Sequence, residues 1–422
     1  MRLPKFLLKM IPGFYIKDMK EWLKQGHIDI YLEHRYSNKE SSCHKCQEKL
    51  SRITGNYRQK IQTMPIMSYK TFLYIKRRKG YCESCKKIRA EYLDFISPET
   101  PHLTREYSWW LGRMCEISAV SRVGELAGID QMTMWRLDFA RLRRMLQHYK
   151  IPNVKRISVD EVYARKRKYG AKESRDKRFF TVICDLDTRR VIWVSDSRER
   201  SALDEFFKII GPERCKEIDV VAMDQHDSYK VSVEQNCPMA TVVWDRFHIM
   251  QTFNEAVNGD RAWLNRYIMK DEGKRLTRNK FKRLFIKRSD KRTKIEQRHI
   301  RDVLRDNEEF AFLELIKEGM HQLYQSETPW EAREKFEQIG KWIDDCSNFY
   351  ELKKWWKNFN NGWDTFKNYF HYRVSSALSE GQNNAIKALK RRGFGYRNMP
   401  YFKLKILQVC GFLNSRYVPM SF

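Results

Sequence analysis

The sequence contains no long uninterrupted run of apolar residues. Its first residues, MRLPKFLLKMIPGFYIKDM, are basic and partly apolar, but Lys9, Lys17 and two prolines interrupt them. A signal peptide and a membrane-spanning helix both need a longer apolar stretch than this. We therefore expect neither feature, no membrane partner, and action in the cytoplasm in association with the nucleoid.

Acidic residues are scarce relative to basic ones, with 53 Asp and Glu against 82 Lys and Arg. The formal charge of +29 suits a polyanionic partner, because binding releases counterions and the field steers association. Nucleic acid is therefore the leading partner class, and a merely soluble basic protein is the alternative. Internal repeats and low-complexity tracts are also missing. With 42% hydrophobic and 14% aromatic residues, the chain can bury a core, which argues against wholesale disorder.

Four of the ten cysteines form two CxxC pairs, Cys43 with Cys46 and Cys82 with Cys85. Each pair can present two thiolates to one tetrahedral zinc ion. The role would be structural, because four protein ligands leave no open position for a substrate. The interval between the pairs has room for a hairpin or an extended loop. His44 is an alternative to one of the ligands, and four ordinary reduced thiols are the other interpretation.

A helical pattern follows the cysteine pairs and contains the stretch VSRVGELAGIDQMTMWRL, from Val120 to Leu137. Gly128 predicts a turn after the first helix, and Asp130 can cap the second helix. The pattern predicts a helix-turn-helix whose second helix enters the major groove of DNA. The residues expected to face outward there are Gln131, Thr133 and Arg136. A helical hairpin without a role in DNA binding is the alternative.

The next hundred residues predict three strands, then helix, strand, helix and strand. The predicted elements are strands Arg156–Tyr163, Arg178–Leu186 and Val191–Asp196, a helix from Ser201 to Ile210, strand Ile218–Met223, a helix near Tyr229–Gln235 and strand Ala240–Trp244. This order is typical of an α/β ribonuclease H-like fold, a mixed sheet with helices on its faces. In such a sheet the first and fourth strands are neighbours, so Asp160 and Asp224 would lie side by side.

These two acids are candidates for metal binding. Asp160 interrupts an apolar strand and Asp224 ends another, where a carboxylate is costly unless something compensates its charge. A pair of Mg²⁺ or Mn²⁺ ions would do so, and two such ions also support phosphodiester cleavage. Glu380, near the start of a later helix, is the candidate third ligand, and a solvated glutamate at a helix start is the alternative.

Two further residues, Asp245 and His248, follow the last strand and could either line the same site or pair with Arg246. From residue 251 to 370 only helical patterns recur, which predicts a helical insertion. Between Lys274 and Lys294 lie eleven Lys or Arg residues and one acid. Such a run indicates either a contact with the DNA backbone or a solvated helix face.

The predicted organisation has six parts. They are an N-terminal segment (1–42), a zinc-binding module (43–100), a helix-turn-helix domain (101–150), the first part of the ribonuclease H-like core (151–250), the helical insertion (251–370) and the C-terminal part of the core with the third acid (371–422).

Several stretches resemble the ISL3 family of insertion-sequence transposases, which has a DDE-type catalytic domain. They are Ser158-Val-Asp-Glu161, Met223-Asp-Gln-His-Asp-Ser-Tyr229, Asp245-Arg-Phe-His248, Glu380-Gly-Gln-Asn-Asn-Ala-Ile-Lys387 and Lys390-Arg-Arg-Gly-Phe-Gly-Tyr-Arg-Asn398. With the cysteine pairs and the helix-turn-helix, the resemblance spans nearly the whole chain. One departure is Ser375-Ser-Ala-Leu-Ser379, where such proteins often have a glycine-containing run.

The resemblance implies a magnesium-dependent nuclease and strand transferase that acts on terminal inverted repeats and on target DNA. It implies that Asp160, Asp224 and Glu380 hold the metal ions. The basic residues expected to contact DNA near the C-terminus are Lys390, Arg391 and Arg392. Assembly on paired DNA ends implies a homodimer or a larger oligomer on DNA. The alternatives are a catalytically dead DNA-binding regulator and a structure-specific nuclease without strand transfer.

Overall fold

The computed structural model describes residues 11–35, 41–165, 175–267, 279–305, 307–374 and 377–413. The side chains of residues 175, 279–281 and 377–380 are outside this description. The chain forms two compact units, one from residues 1–149 and 389–422 and the other from residues 150–388. Within the described ranges, every helix is too short or too polar to cross a lipid bilayer.

The first unit begins with a five-stranded sheet. Strand β1 (Phe14–Trp22) pairs antiparallel with β2 (His27–His34), and β2 pairs in parallel with β4 (Tyr69–Cys82). Strands β3 (Arg52–Ile66) and β5 (Lys87–Ala90) each pair antiparallel with β4. The β3–β4 hairpin fills the interval between the CxxC pairs. The sheet crosses the boundary predicted at residue 42, so the N-terminal segment and the zinc-binding module share one sheet.

The two faces of this sheet differ in burial, because successive residues of a strand point to opposite sides. One face is an apolar core of Phe14, Ile28, Ile30, Leu32, Ile61, Leu73 and Ile75, packed with Phe95 and Ile96 from the segment after β5. The opposite face carries half-buried aromatic residues and exposed lysines. A shift of one residue in register would exchange the two faces, so burial of the apolar face fixes the register.

Three helices follow, namely α1 (Arg105–Ile117), α2 (Val120–Ala127) and α3 (Gln131–Gln147). Gly128 ends α2 with a φ of 67°, a left-handed conformation that favours glycine. The Asp130 side chain accepts a hydrogen bond from the Thr133 backbone N–H at 3.0 Å and so caps α3. The turn at Gly128 and the cap at Asp130 were both predicted, and both are confirmed.

A buried ionic cluster joins α3 to α16 (Met399–Val409), the last helix of the chain that the structure describes. Asp138 of α3 is fully buried, accepts a hydrogen bond from the Tyr401 hydroxyl at 2.7 Å and pairs with Lys405 at 3.2 Å. Arg141, one turn further along α3, pairs with the same carboxyl group at 3.0 Å.

The prediction assigned residues 371–422 to the catalytic core, whereas residues from 389 onward belong to the first unit.

The second unit is built on a mixed five-stranded sheet of order β10-β9-β6-β7-β8. The strands are β6 (Arg156–Tyr163), β7 (Phe179–Asp185), β8 (Arg190–Val194), β9 (Val220–Met223) and β10 (Thr241–Trp244). The first three are antiparallel neighbours, while β9 pairs in parallel with both β6 and β10. The predicted pairing of the first and fourth strands is confirmed. Helices α4 (Arg200–Ile210), α5 (Pro212–Lys216) and α6 (Asp227–Asn236) connect the later strands.

The described part of residues 246–372 consists of helices and their connections, without a strand, as predicted for residues 251–370. They are α7 (Arg246–Tyr267), α8 (Asn279–Ile286), α9 (Lys294–Arg305), α10 (Glu308–Leu323), α11 (Pro329–Asp345), α12 (Tyr350–Asn360), α13 (Trp363–Phe366) and α14 (Asn368–Tyr372), followed by α15 (Ala377–Arg392). Their core is rich in aromatic residues, including Phe253, Phe310, Phe336, Phe359 and Phe366.

The structure describes only part of the basic run from Lys274 to Lys294. Residues 274–278 lie outside the described chain. Arg292 is buried and pairs with Glu314 at 2.5 Å, and the fully buried Lys317 pairs with the same carboxylate at 2.9 Å. Arg292 therefore has a structural role within the helical region. It is neither a contact with the DNA backbone nor part of a solvated helix face, the two roles expected for this run.

We expect Asp138→Asn to lower the free energy of unfolding by about 3–5 kcal/mol, because Arg141 and Lys405 would remain buried without a countercharge. Burial raises the pKa of Asp138, but the charges of Lys405 and Arg141 outweigh burial and hold it below its ordinary value. The stabilisation is therefore present at neutral pH and is lost as the pH falls through the folded-state pKa. Denaturant unfolding at neutral and acidic pH measures both effects.

The control is Glu125→Gln, which removes an exposed partner of Arg122 in α2 and should change stability little. Equal destabilisation by both substitutions would contradict the role of the buried cluster.

Candidate functional site

The four cysteine sulfurs of the first unit converge within 4.8 Å of one another. Cys43 and Cys46 lie in a turn before β3, Cys82 ends β4, and Cys85 lies in the turn before β5. The sulfur pairs Cys46–Cys82, Cys46–Cys85 and Cys43–Cys85 are 3.4, 3.6 and 3.9 Å apart. Tetrahedral coordination with Zn–S bonds of about 2.3 Å separates the sulfurs by roughly 3.8 Å. The distances therefore fit one zinc ion.

The alternative ligand His44 is not part of this cluster. Its Nδ1 atom lies 3.2 Å from the Ala90 carbonyl oxygen of β5. Burial raises the pKa of the Cys43 thiol, but hydrogen bonds from the backbone of Cys46 and Lys45 outweigh burial and lower it to about 7. A backbone hydrogen bond from Glu48 lowers the pKa of Cys46, but burial and the hydrogen bonds with Cys82, Cys85 and Cys43 outweigh it and raise that pKa to about 12.

In the second unit, the sheet brings Asp160 and Asp224 together. Strands β6 and β9 run in parallel with Val159 opposite Met223, so the next residue of each chain segment is one of the two acids. The carboxylate oxygens of both acids and Nε2 of His248 lie within 4.8 Å of one another. Three residues far apart in sequence thus form one group of possible metal ligands.

The Asp160 carboxyl group is held by two hydrogen bonds. Its Oδ1 accepts one from the Glu161 backbone N–H, and its Oδ2 accepts one from Asn383 Nδ2, each at 2.6 Å. Burial and the negative charge of Asp224 raise the pKa of Asp160 to about 7. A nearby positive charge would favour the ionised form.

His248 supplies positive charge beside these acids. Its Nε2 lies 2.9 Å from Asp224 Oδ1, 3.6 Å from Asp245 Oδ2 and 3.9 Å from Asp160 Oδ1. Burial lowers the pKa of His248, but the hydrogen bond with Asp224 and the surrounding negative charges outweigh burial and raise it to about 9. The imidazolium form therefore balances part of the charge of the acids.

Asp245 is buried and accepts a hydrogen bond from the Phe247 backbone N–H at 2.8 Å, at the start of α7. Arg246 instead lies over the ring of Tyr324, with its guanidinium carbon 4.7 Å from the ring centroid. Of the two arrangements considered for Asp245 and His248, the geometry matches the one in which both residues line the acidic site.

The third predicted acid, Glu380, lies in α15, and its side chain is outside the description. Asn383 of the same helix contacts Asp160 and was missed by the sequence reasoning. The only signal was its position inside the family-like stretch from Glu380 to Lys387, since an asparagine alone indicates no particular role.

The residues predicted to contact DNA differ in exposure. Gln131, Thr133 and Arg136 are all exposed on α3, as predicted for a recognition helix. Near the C-terminal end of α15, Arg391 is exposed and Lys390 is half-buried. Arg392 donates a hydrogen bond to the Glu116 carbonyl at 2.6 Å, so this residue has a structural contact in the first unit.

Comparison with known proteins identifies the class to which this arrangement belongs. Residues 157–406 match the ISL3 model of a transposase family. Residues 39–85 match the model of the zinc-finger of transposase IS204/IS1001/IS1096/IS1165. The matches define a transposase with an N-terminal structural zinc site, whose ligands are the four converging cysteines.

Two relatives extend this result to most of the chain. The transposase for insertion sequence element IS1001 of Bordetella parapertussis is 22% identical over 414 residues, which cover 96% of this chain and 98% of that protein. The transposase for insertion sequence element IS1557 of Mycobacterium tuberculosis is 24% identical over 316 residues, which cover 68% of this chain and 67% of that protein. The chain belongs to the ISL3 family of transposases.

We expect one zinc ion per chain and its loss in Cys82→Ser, because a hydroxyl group is a poor substitute for a buried thiolate ligand. Mass spectrometry of the purified protein for metal content measures both quantities. Cys346→Ser is the control, since Cys346 lies in the second unit and outside the cluster. Full zinc content in Cys82→Ser would contradict the assignment.

Proposed function

We propose that this chain is a DDE transposase that binds the terminal inverted repeats of an insertion sequence and catalyses DNA cleavage and strand transfer by a two-metal mechanism. The observation that carries the proposal is the convergence of Asp160 and Asp224 beside His248, in a chain of a transposase family. A like-charge pair in which one member, Asp160, is buried is unfavourable without a compensating cation, which gives the site a physical reason to bind metal.

The strand order supports a ribonuclease H-like core. Three antiparallel strands, followed by two strands that extend the sheet in parallel from the first, put β6 next to β9. This topology places Asp160 within β6 and Asp224 immediately after β9. Ligands of open α/β sheets commonly bind at the carboxyl ends of parallel strands, and Asp224 is at such an end.

The donor atoms suit a hard divalent cation such as Mg²⁺ or Mn²⁺, because both prefer carboxylate oxygens. Asp160 and Asp224 supply such oxygens, and His248 Nε2 would be a third donor once its proton is displaced, because an imidazolium has no free lone pair. When bound, two such ions would activate an attacking oxygen and stabilise the departing oxyanion.

Glu380 completes the proposed ligand set. It lies three residues before Asn383 in α15, and positions three apart share one face of a helix. The hydrogen bond from Asn383 to Asp160 therefore supports a location of position 380 near the acids. In this proposal Asp160 would be a ligand of both cations, while Asp224 and Glu380 would each hold one of them.

The chain's own groups would then bind and orient DNA. Water would attack first at the transposon end, and the freed 3′ hydroxyl would attack target DNA in the same site, so that one set of residues serves two in-line displacements. The exposed face of α3 supports a role in end recognition. Lys390 and Arg391 would contact the DNA backbone, and pairing of two ends would require at least a dimer.

We expect Asp160→Asn to abolish magnesium-dependent nicking and strand transfer while binding to the ends is retained, because the amide removes a metal ligand but leaves α3 unchanged. The assay uses a plasmid carrying the inverted repeats that flank the gene, with and without Mg²⁺. Glu380→Gln should have the same effect.

Asp187→Asn is the matched control, because Asp187 pairs with Arg156 at the surface of the same unit. Cleavage by Asp160→Asn at the wild-type rate would refute the ligand assignment. Binding without cleavage by the wild-type protein would favour the regulator, and cleavage without joined products would favour the nuclease.

We expect Arg136→Ala to weaken binding to the terminal repeats by about 1–3 kcal/mol relative to unrelated duplex DNA, because a base contact carries specificity. Gel-shift titrations with both duplexes measure this difference. Arg122→Ala is the control, since Arg122 is exposed on α2 and pairs with Glu125. An equal loss on both duplexes would show that Arg136 contacts only the backbone.

A further inference from the structure

The solvent face of the N-terminal sheet combines aromatic rings with lysines. Successive residues of each strand point to opposite faces, and the pairing register aligns these residues between strands. The rings and lysines therefore lie together on the side opposite the apolar core. We call this surface the aromatic–lysine face, and its residues are Lys20, Tyr31, Lys60, Phe72, Tyr74 and Lys76. Neither the zinc site nor the acidic site uses any of them.

These side chains form a continuous row. The rings of Tyr31 and Tyr74 are stacked, with centroids 5.0 Å apart and an interplanar angle of 17°. Lys60 Nζ lies 3.8 Å from the Phe72 centroid and 5.6 Å from the Tyr74 centroid. Lys20 Nζ lies 5.5 Å from the Tyr31 centroid. The row thus alternates cations with aromatic rings across four strands.

The row continues past Phe72 towards β1. The His27 ring lies 6.0 Å from the Phe72 ring, and Trp22 stacks on His27 at 6.2 Å. Trp22 is 42% exposed. Aromatic rings are therefore present both in the middle of the sheet and at its β1 edge.

The charge of this face favours a polyanion. In the described part of the chain, the ammonium groups of Lys20 and Lys60 lie over rings rather than against carboxylates. Three acids lie on the same face: Asp29 is buried, Glu33 accepts hydrogen bonds from the Tyr15 hydroxyl and from Lys17, and Asp18, opposite Tyr31, is exposed and accepts a hydrogen bond from the Met19 backbone N–H. Lys60 and Lys76 are exposed. The accessible charge is therefore mainly positive.

The face also adjoins the helix-turn-helix. Gln62 of β3 donates a hydrogen bond to the Ala127 carbonyl at 2.9 Å. Lys70 Nζ lies so close to Gly128 that a Cβ atom built on this glycine would be 2.2 Å away. Helix α3 begins three residues later, at Gln131. DNA held at the start of α3 is therefore next to one end of the aromatic–lysine face.

We propose that the aromatic–lysine face binds an unpaired DNA strand, with bases stacked on Tyr31, Tyr74 and Phe72 and phosphates bound by Lys20, Lys60 and Lys76. Aromatic rings on a surface rich in cations are the combination that binds single strands without sequence preference, and the three rings here are half-buried. Duplex DNA offers phosphates but no free base faces, so an unpaired strand uses both features. The inference rests on the proposed function only in taking DNA as the polyanion.

The test measures binding of a fluorescein-labelled oligothymidylate to the full-length protein by fluorescence anisotropy. We expect the double substitution Tyr31→Leu with Tyr74→Leu to weaken binding roughly tenfold, because base–aromatic stacking is lost. The double substitution Tyr31→Phe with Tyr74→Phe keeps the rings and should bind like the wild type. Lys60→Ala should weaken binding and reduce the slope of log K against log salt by about 0.7.

Lys79→Ala is the charge control, because Lys79 is exposed on β4, the strand that pairs with the strand of Lys60, but at a position that faces the other side of the sheet. Zinc content and thermal unfolding of each variant verify that the sheet is intact. Wild-type affinity in the double leucine variant, or equal weakening by Lys60→Ala and Lys79→Ala, would overturn the proposal. Anisotropy requires no cleavage, so a chain that fails to cut DNA would contradict the proposed function and leave this result standing.

Discussion

The repulsion between two neighbouring carboxylates is the constraint on which the second unit depends. Asp160 is buried beside Asp224, and this environment raises the pKa of Asp160 to about 7. His248 and Asn383 contact the pair, one as a cation and the other as a hydrogen-bond donor. Any added positive charge would stabilise such a site, which is the electrostatic reason behind the proposed binding of divalent cations.

The sheet fixes the positions of the two acids and of His248. Parallel pairing of β6 with β9 sets the spacing of the two acids, and β10 leads directly into α7, which carries His248. Asp245 caps the start of that helix through the Phe247 N–H. The acids and the imidazole are therefore positioned by regular backbone structure rather than by long loops, as the proposed catalytic role would require.

Local patterns in the sequence predicted much of this structure. Alternating apolar residues located β6 to β10, and the Gly128 turn and the Asp130 cap located α2 and α3. Long-range packing was not predictable in the same way. The pairing of β2 with β4, the burial of Asp138 with Lys405 and the contact of Asn383 with Asp160 join residues far apart in sequence. No local periodicity encodes such contacts, which is why the membership of residues from 389 onward in the first unit was not predicted.

Crystals of the protein soaked in Mn²⁺ would test the central claim most directly, through anomalous scattering from the metal. The account predicts a strong anomalous peak within bonding distance of carboxylate oxygens of both Asp160 and Asp224, with Glu380 as a further ligand. A Mn²⁺ site elsewhere, or a Glu380 carboxylate directed away from the two aspartates in the metal-bound state, would contradict it.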